Sequence, residues 1–243
     1  MAQVIDSTAI SGTTTRTTSK YASGEFFEFL WRTAGIQYVG FFIITSLIYS
    51  SQPGIGASPG ALTEFYGSHG TWVLVGAGLG AFNLLNLLWF ATALRTALEE
   101  TGQGGWGAAA TAASSMFGAL TIVTLALGGI LTFSIASSGN QSLISGMNDL
   151  SWGLAVLISF PRAMLIMSGV FGFWRAGLIS NALFTLGVGA VVLGVLGGFT
   201  GLSGILAPDG IYTRFVSPAL LLIWALVVSR VLLSRSAAKG AGW

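Results

Sequence analysis

Apolar residues run along this chain in long, nearly unbroken stretches separated by short polar punctuation, without the strict alternation of a half-buried strand. Stretches of about twenty mostly apolar residues match the hydrocarbon thickness of a bilayer. They predict six helices, over Thr33–Tyr49, Thr71–Leu94, Ala108–Ile135, Leu150–Trp174, Asn181–Leu202 and Pro218–Leu233. The gaps are Gly-, Pro- and Ser-rich turns such as SSQPGIGASPG and ETGQGGWG. Asn148-Asp149 reads as the cap of the fourth helix, and Ser217-Pro218 as cap and first-turn proline of the sixth. The expected architecture is an all-α polytopic membrane protein. Residues 1–28 form a polar N-terminal tail, 29–235 a single bundle of six transmembrane helices, and 236–243 a short basic tail.

Composition strengthens this reading. Charged residues make up 7% of the 243, against about a quarter in soluble domains, and mean hydropathy is +0.80. So few charges cannot clothe a globular surface in water. The first residues, MAQVIDSTAISGTTTRTTSKYASGE, hold no apolar run of signal-peptide length, so no cleaved leader is expected.

The placement of the charges sets an orientation. With the N-terminus inside, Arg16, Lys20, Arg32, Arg95, Arg175, Arg230, Arg235 and Lys239 are cytoplasmic, and Arg214 alone faces outward. Both termini are therefore expected on the cytoplasmic side of the membrane. Trp31, Trp72, Trp106, Trp152 and Trp174 fall near expected helix ends, where an interfacial belt would place them.

The stretch VLVGAGLGA, Val73 to Ala81, has the glycine spacing of a dinucleotide-binding turn, with Glu99 and Glu100 about where a ribose-binding acid would fall. It continues without a breaker into FNLLNLLWFATALRTALEE, so the strand and turn such a site needs are missing. Gly76 and Gly80 instead give the small-residue spacing that lets another helix approach closely. The fifth helix repeats the signal, with Gly187, Ala190, Gly194, Gly197, Gly201 and Gly204 along one face. This stripe reads as a packing seam within the bundle or as a docking face for another subunit.

Candidate chemistry is sparse. The chain has no cysteine and a single histidine, His69, so thiolate sites and multi-histidine metal centres are excluded, and no cofactor or metal is expected. His69 and Glu64 share the segment TEFYGSHG, but two ligands make a poor site. Asp209 and Arg214 read as a local pair, and Glu28 with Arg32 as an ion pair at the membrane entrance. No nucleophile–base pair can be assembled, so catalysis is not expected.

One polar group stands out. Arg162, in ISFPRAMLIM, lies near the midplane of the fourth helix, where an unpartnered arginine costs several kcal/mol. Pro161 frees the carbonyl of Leu157, which, with Ser159, can accept from the guanidinium. Asn83 and Asn86, three apart on the second helix, share this depth. No Asp or Glu lies inside an expected span. Three readings follow: Arg162, Asn83 and Asn86 satisfy one another; a partner protein or lipid headgroup supplies the missing anion; or Arg162 binds an anionic substrate between the second and fourth helices.

The segments SPGALTEFYGSHG, WFATALRTALEE and FGFWRAGLISNALFTLGV, in this order, resemble a widespread bacterial family of six-helix integral membrane proteins of uncharacterised function. In that family the turn after the fourth helix is an arginine, a small residue, glycine, an apolar pair and a proline. Arg175, Ala176, Gly177, Leu178 and Ile179 match, and Ser180 stands in place of the proline. The resemblance spans most of the chain beyond the N-terminal tail and implies the six-helix architecture without an activity.

Two functions are compatible with these features. One is a non-catalytic accessory or structural subunit, docking on a membrane-protein partner or on its own copies. The other is a carrier or binding protein for a lipophilic or anionic small molecule, with a bound lipid among the candidates. No correspondence links residues 30–135 to 150–235 as an inverted repeat would. Nucleic acid is not an expected partner, since the net charge of +2 comes from few groups.

Overall fold

The computed structural model describes the backbone of residues 19–199, 201 and 204–240, and side chains within this range from Thr33 to Arg235. Every regular element among them is helical. In chain order these are α1 (Ser19–Ile48), α2 (Pro59–Thr63), α3 (Gly70–Glu99), α4 (Gly104–Ile130), α5 (Gln141–Leu157), α6 (Ser159–Arg175), α7 (Asn181–Gly197) and α8 (Ser217–Gly240). Five stretches among the described residues are long and apolar enough to cross a membrane: Thr33–Ser51, Gly70–Glu99, Gly104–Ile135, Gln141–Arg175 and Tyr212–Arg235. By helix length and hydropathy this is a multi-pass membrane protein.

The helices form one bundle in which α3 packs between α1 and α4, while α6 lies between α4 and α7. Leu87, Leu94 and Leu98 of α3, Phe117 of α4, Leu165, Val170 and Phe173 of α6, and Trp224 and Val228 of α8 meet in one buried core. A smaller core of Leu62, Phe65, Tyr66, Val73, Leu131 and Ile144 closes one end, called here the Trp152 end. The opposite end carries Arg175 and the Arg95–Glu99 ion pair at 2.7 Å. There Gly177 (φ +68°) ends α6 in the left-handed conformation, and Leu178 donates back to the Phe173 carbonyl at 2.8 Å. Ser180 then caps α7, its hydroxyl accepting from the Leu183 amide at 3.3 Å.

Prolines interrupt two helices. Pro161 has no amide for the Leu157 carbonyl, and the helix bends at Ile158 between α5 and α6. Pro218 likewise offers no amide to the Arg214 carbonyl, and the turn before it widens into a π-helical turn over Tyr212–Val216.

Several expectations are corrected. The fifth expected helix stops at Gly197 rather than Leu202, which lies outside the described residues. Its 17 residues reach about 26 Å at about 1.5 Å per residue, short of a full span of about 30 Å. The paired glycines Gly197 and Gly198 end it against Tyr212 and Phe160. α5 starts at Gln141, capped by Asn140 through the Leu143 amide at 3.1 Å, so Asn148 and Asp149 lie inside the helix. Ser217 is no cap either, because helical turns already run from Tyr212. Residues 19–28, expected in the tail, are helical, and α8 continues to Gly240. The Glu28–Arg32 pair lies outside the described side chains.

Candidate functional site

The expected helix seam is real for part of its length. A Cβ on Gly187 would come within 2.5 Å of Val170, one on Gly194 within 3.0 Å of Ala163, and one on Gly197 within 2.7 Å of Tyr212. Ala190 packs partly buried on the same core. The stripe thus lies on α6 and the start of the Tyr212 turn, where close backbone approach needs small residues. Gly201 and Gly204 do not continue it: both lie beyond the helix, with open space where a Cβ would stand. Gly76 and Gly80 serve a second close approach, meeting Ile48 and Tyr49 of the α1 end and Leu125 of α4.

Arg162 is buried, 7% exposed, which depth along the helix alone did not decide. Its Nη1 donates to Ser217 Oγ at 2.6 Å, and the Ser159 and Ser217 hydroxyls lie 3.3 Å apart. The guanidinium sits 5.6 Å from the ring centroid of Phe117, within cation–π range. Its Nε has no hydrogen-bond partner, and no carboxylate among the described residues pairs with it.

The asparagines do not complete it. Asn83 donates to the Tyr38 carbonyl at 3.0 Å and so ties α3 to α1, while Asn86 donates to Asn83 Oδ1 at 3.3 Å within α3. The two asparagines thus bond each other as expected, but Arg162 takes no part and bonds Ser217 instead. The physical reason is that α1 packs directly on this face of α3, and its backbone carbonyl is the nearer acceptor. The acceptor for Arg162 comes from α8, not from the carbonyl freed by Pro161.

Arg162 and Asn83 line a cavity of about 240 Å³ between α1, α3, α4, the α5–α6 bend and the Tyr212–Val216 turn. Asn86 is not part of it. The cavity extends from Arg162 and Tyr38 to Ser50, Gln52 and Arg214 at the Trp152 end. Its wall combines apolar side chains such as Phe42, Leu84, Phe117 and Ile158 with hydroxyls from Tyr38, Thr45, Tyr49, Thr121, Thr124 and Thr213. No Asp or Glu lines it. Thr124 bonds the carbonyl one turn back at 3.0 Å, the usual recourse of a threonine in a helix. Thr45 and Thr121 do not: their hydroxyls, with Tyr38 Oη and Arg162 Nε, are buried without a partner. Four unpartnered polar atoms thus belong to residues around one cavity.

The Trp152 end of the cavity is built by a network that sequence reasoning missed. Gln52 donates to Ser151 Oγ at 3.1 Å and to Tyr66 Oη at 3.2 Å, and Tyr66 donates to Asn148 Oδ1 at 2.9 Å. Asn148 and Trp152 donate to the carbonyls of Gly54 and Pro53 at 3.2 and 2.9 Å. Arg214 lies 4.4 Å from the Trp152 ring centroid and donates to the Gln52 carbonyl at 3.2 Å and the Asp209 carbonyl at 2.6 Å. The expected Asp209–Arg214 pairing is thus made through the backbone, while the Asp209 carboxylate accepts from the Ile55 amide at 3.2 Å. Burial pushes the Tyr66 phenol up from its ordinary value. His69 stands near the Phe65 ring, and no three His, Asp or Glu side chains come together among the described residues.

The signal for the cavity was present in the sequence. Tyr38, Thr45 and Tyr49 recur on one face of α1, and Phe117, Thr121 and Thr124 on one face of α4. Polar stripes on otherwise apolar membrane helices point away from lipid. Comparison with known proteins adds nothing to this geometry: no family model, curated protein or solved structure matches the chain.

Proposed function

We propose that the protein binds a small anionic, partly apolar molecule in the cavity around Arg162, as a binding protein or carrier of the membrane in which it sits. The carrying observation is a buried guanidinium with no carboxylate partner among the described residues, beside a cavity lined by three further residues whose buried hydroxyls have no partner. A buried cation left alone costs several kcal/mol, and an anionic occupant offsets that cost. The volume of about 240 Å³ falls below the range of roughly 300–1,000 Å³ typical of drug-sized ligands, so the occupant is small.

In this reading α7 contributes the sixth crossing. The Arg175 end is cytoplasmic with both termini, and the Trp152 end faces outward, in a bacterial inner membrane. The distribution of arginine and lysine supports that orientation. The accessory-subunit reading drew on the glycine seam, and Gly187, Gly194 and Gly197 are occupied by neighbours within the chain.

The test is gentle purification from the native membrane, with mass spectrometry of both co-purifying proteins and extracted small molecules, for the native protein and Arg162→Met. An anionic species retained by the native protein and absent from the variant supports the proposal. A stoichiometric partner chain with no such species replaces it with the accessory-subunit reading.

A further inference from the structure

The chemistry of the occupant can be narrowed, resting on the reading of the cavity as an anion site. We infer that it is an amphiphilic monocarboxylate that enters sideways from the bilayer, seating its carboxylate at Arg162 with its hydrocarbon tail toward the Trp152 end.

Three observations converge. The first is charge. Arg162 is the one cation lining this end of the cavity; its Nη1 already donates to Ser217, and its buried Nε and the buried Tyr38 hydroxyl have no partner. These donors match a single negative charge. A dianionic headgroup would carry its second charge into an apolar interior without compensation. The second Arg of the wall, Arg214, is at the far end and is spent on the Gln52 and Asp209 carbonyls and the Trp152 ring.

The second is shape. Cavity-lining positions on α4 run from Phe117 to Leu125, about 12 Å of helix at about 1.5 Å per residue. Phe42, Leu84, Phe117 and Leu125 flank this length between the threonines, and an elongated, mostly apolar space suits a hydrocarbon chain of several carbons rather than a compact anion.

The third is access. Ser46 and Phe215 both line the cavity and both stand exposed on the outside of the bundle, Phe215 at 58%. They belong to the apolar stretches Thr33–Ser51 and Tyr212–Arg235, so in this reading the cavity is reached between α1 and the start of α8, on a side turned to lipid. A ligand dissolved in the bilayer reaches Arg162 by this side without crossing the Gln52–Arg214 network.

The experiment uses the full chain in lipid nanodiscs and follows its thermal unfolding on adding octanoate, butyrate, octylphosphonate at a pH where it is a dianion, octanol or octyltrimethylammonium. The expected result is saturable stabilisation by octanoate, weaker by butyrate, and none by octanol or the cation. Arg162→Met weakens octanoate binding by roughly tenfold or more, and Tyr38→Phe by roughly threefold to tenfold. Tyr38→Phe keeps the ring and carries the test should the arginine variant fail to fold. Butyrate binding as well as octanoate overturns the bilayer-borne source. Octylphosphonate binding more tightly than octanoate overturns the monocarboxylate while leaving the anion cavity standing. No response to any anion overturns both.

Discussion

Along α6 and α7 a single added methyl group has nowhere to go, whereas between α1 and α4 there is room for a small molecule. Gly187 and Gly194 are filled by Val170 and Ala163, atoms of the same chain, and the backbones touch. Across the bundle, Thr45 and Thr121 keep hydroxyls that pair with nothing, around about 240 Å³ of space. Helix association in lipid depends on van der Waals contact, so the first region is built to hold the frame. The second forgoes that contact and leaves buried polar groups unmatched, which lowers stability unless something fills it. Close packing and the cavity thus belong to different helix pairs.

The comparison breaks most visibly at the seam. Gly187→Leu is expected to destabilise the protein by about 3 kcal/mol through overpacking against Val170, measured by equilibrium unfolding in mixed micelles. Gly189→Leu, at a position with open space, should unfold like the native protein. Equal losses at both positions would show that the seam is not a contact. At the Trp152 end, Asn148→Ala removes the acceptor of Tyr66 and the donor to Gly54, and should cost about 2 kcal/mol. Hydrogen exchange should then rise in residues 52–57.

On the cavity side the sign reverses. The double change Thr45→Val and Thr121→Val keeps shape and removes two unpartnered hydroxyls, so the empty protein should gain about 1 kcal/mol or more. A loss instead would mean that those hydroxyls are satisfied by water held in the cavity. The smallest effect is alkaline. Burial raises the Tyr66 phenol above its ordinary value of about 10, so its contribution is complete below that pH. It falls as pH rises further, because the unfolded chain then releases a proton that the folded one retains. Tyr66→Phe should flatten the stability curve above pH 10, read by thermal melts across that range.

How far the sequence reveals this molecule follows from the kind of interaction involved. Long apolar runs report the bilayer directly, so five crossing helices were legible to within several residues at each end, as Gly70–Glu99 against Thr71–Leu94 illustrates. Local spacing also placed Gly187, Ala190, Gly194 and Gly197 on one buried face, and Pro161 at a bend. Contacts set by tertiary neighbours were not legible. Asn148 looks like a cap because its residue type favours caps, yet Asn140 begins the helix and Asn148 is drawn to the loop from α1. Asn83 and Arg162 share a depth, but which acceptor each finds depends on α1 and α8 lying beside them. The cavity required knowing that the hydroxyl faces of α1 and α4 turn toward each other.

The depth of Arg162 also has an electrical meaning. It sits between Trp152 at one end of its helix pair and Arg175 at the other, inside the apolar stretch. A unit charge moved across a whole membrane exchanges about 2.3 kcal/mol per 100 mV with the transmembrane potential. A charge brought only to Arg162 crosses part of that field and exchanges the corresponding fraction. On the proposed reading, occupancy by an anion would be set by the transmembrane voltage as well as by concentration, a form of control closed to any pocket in water.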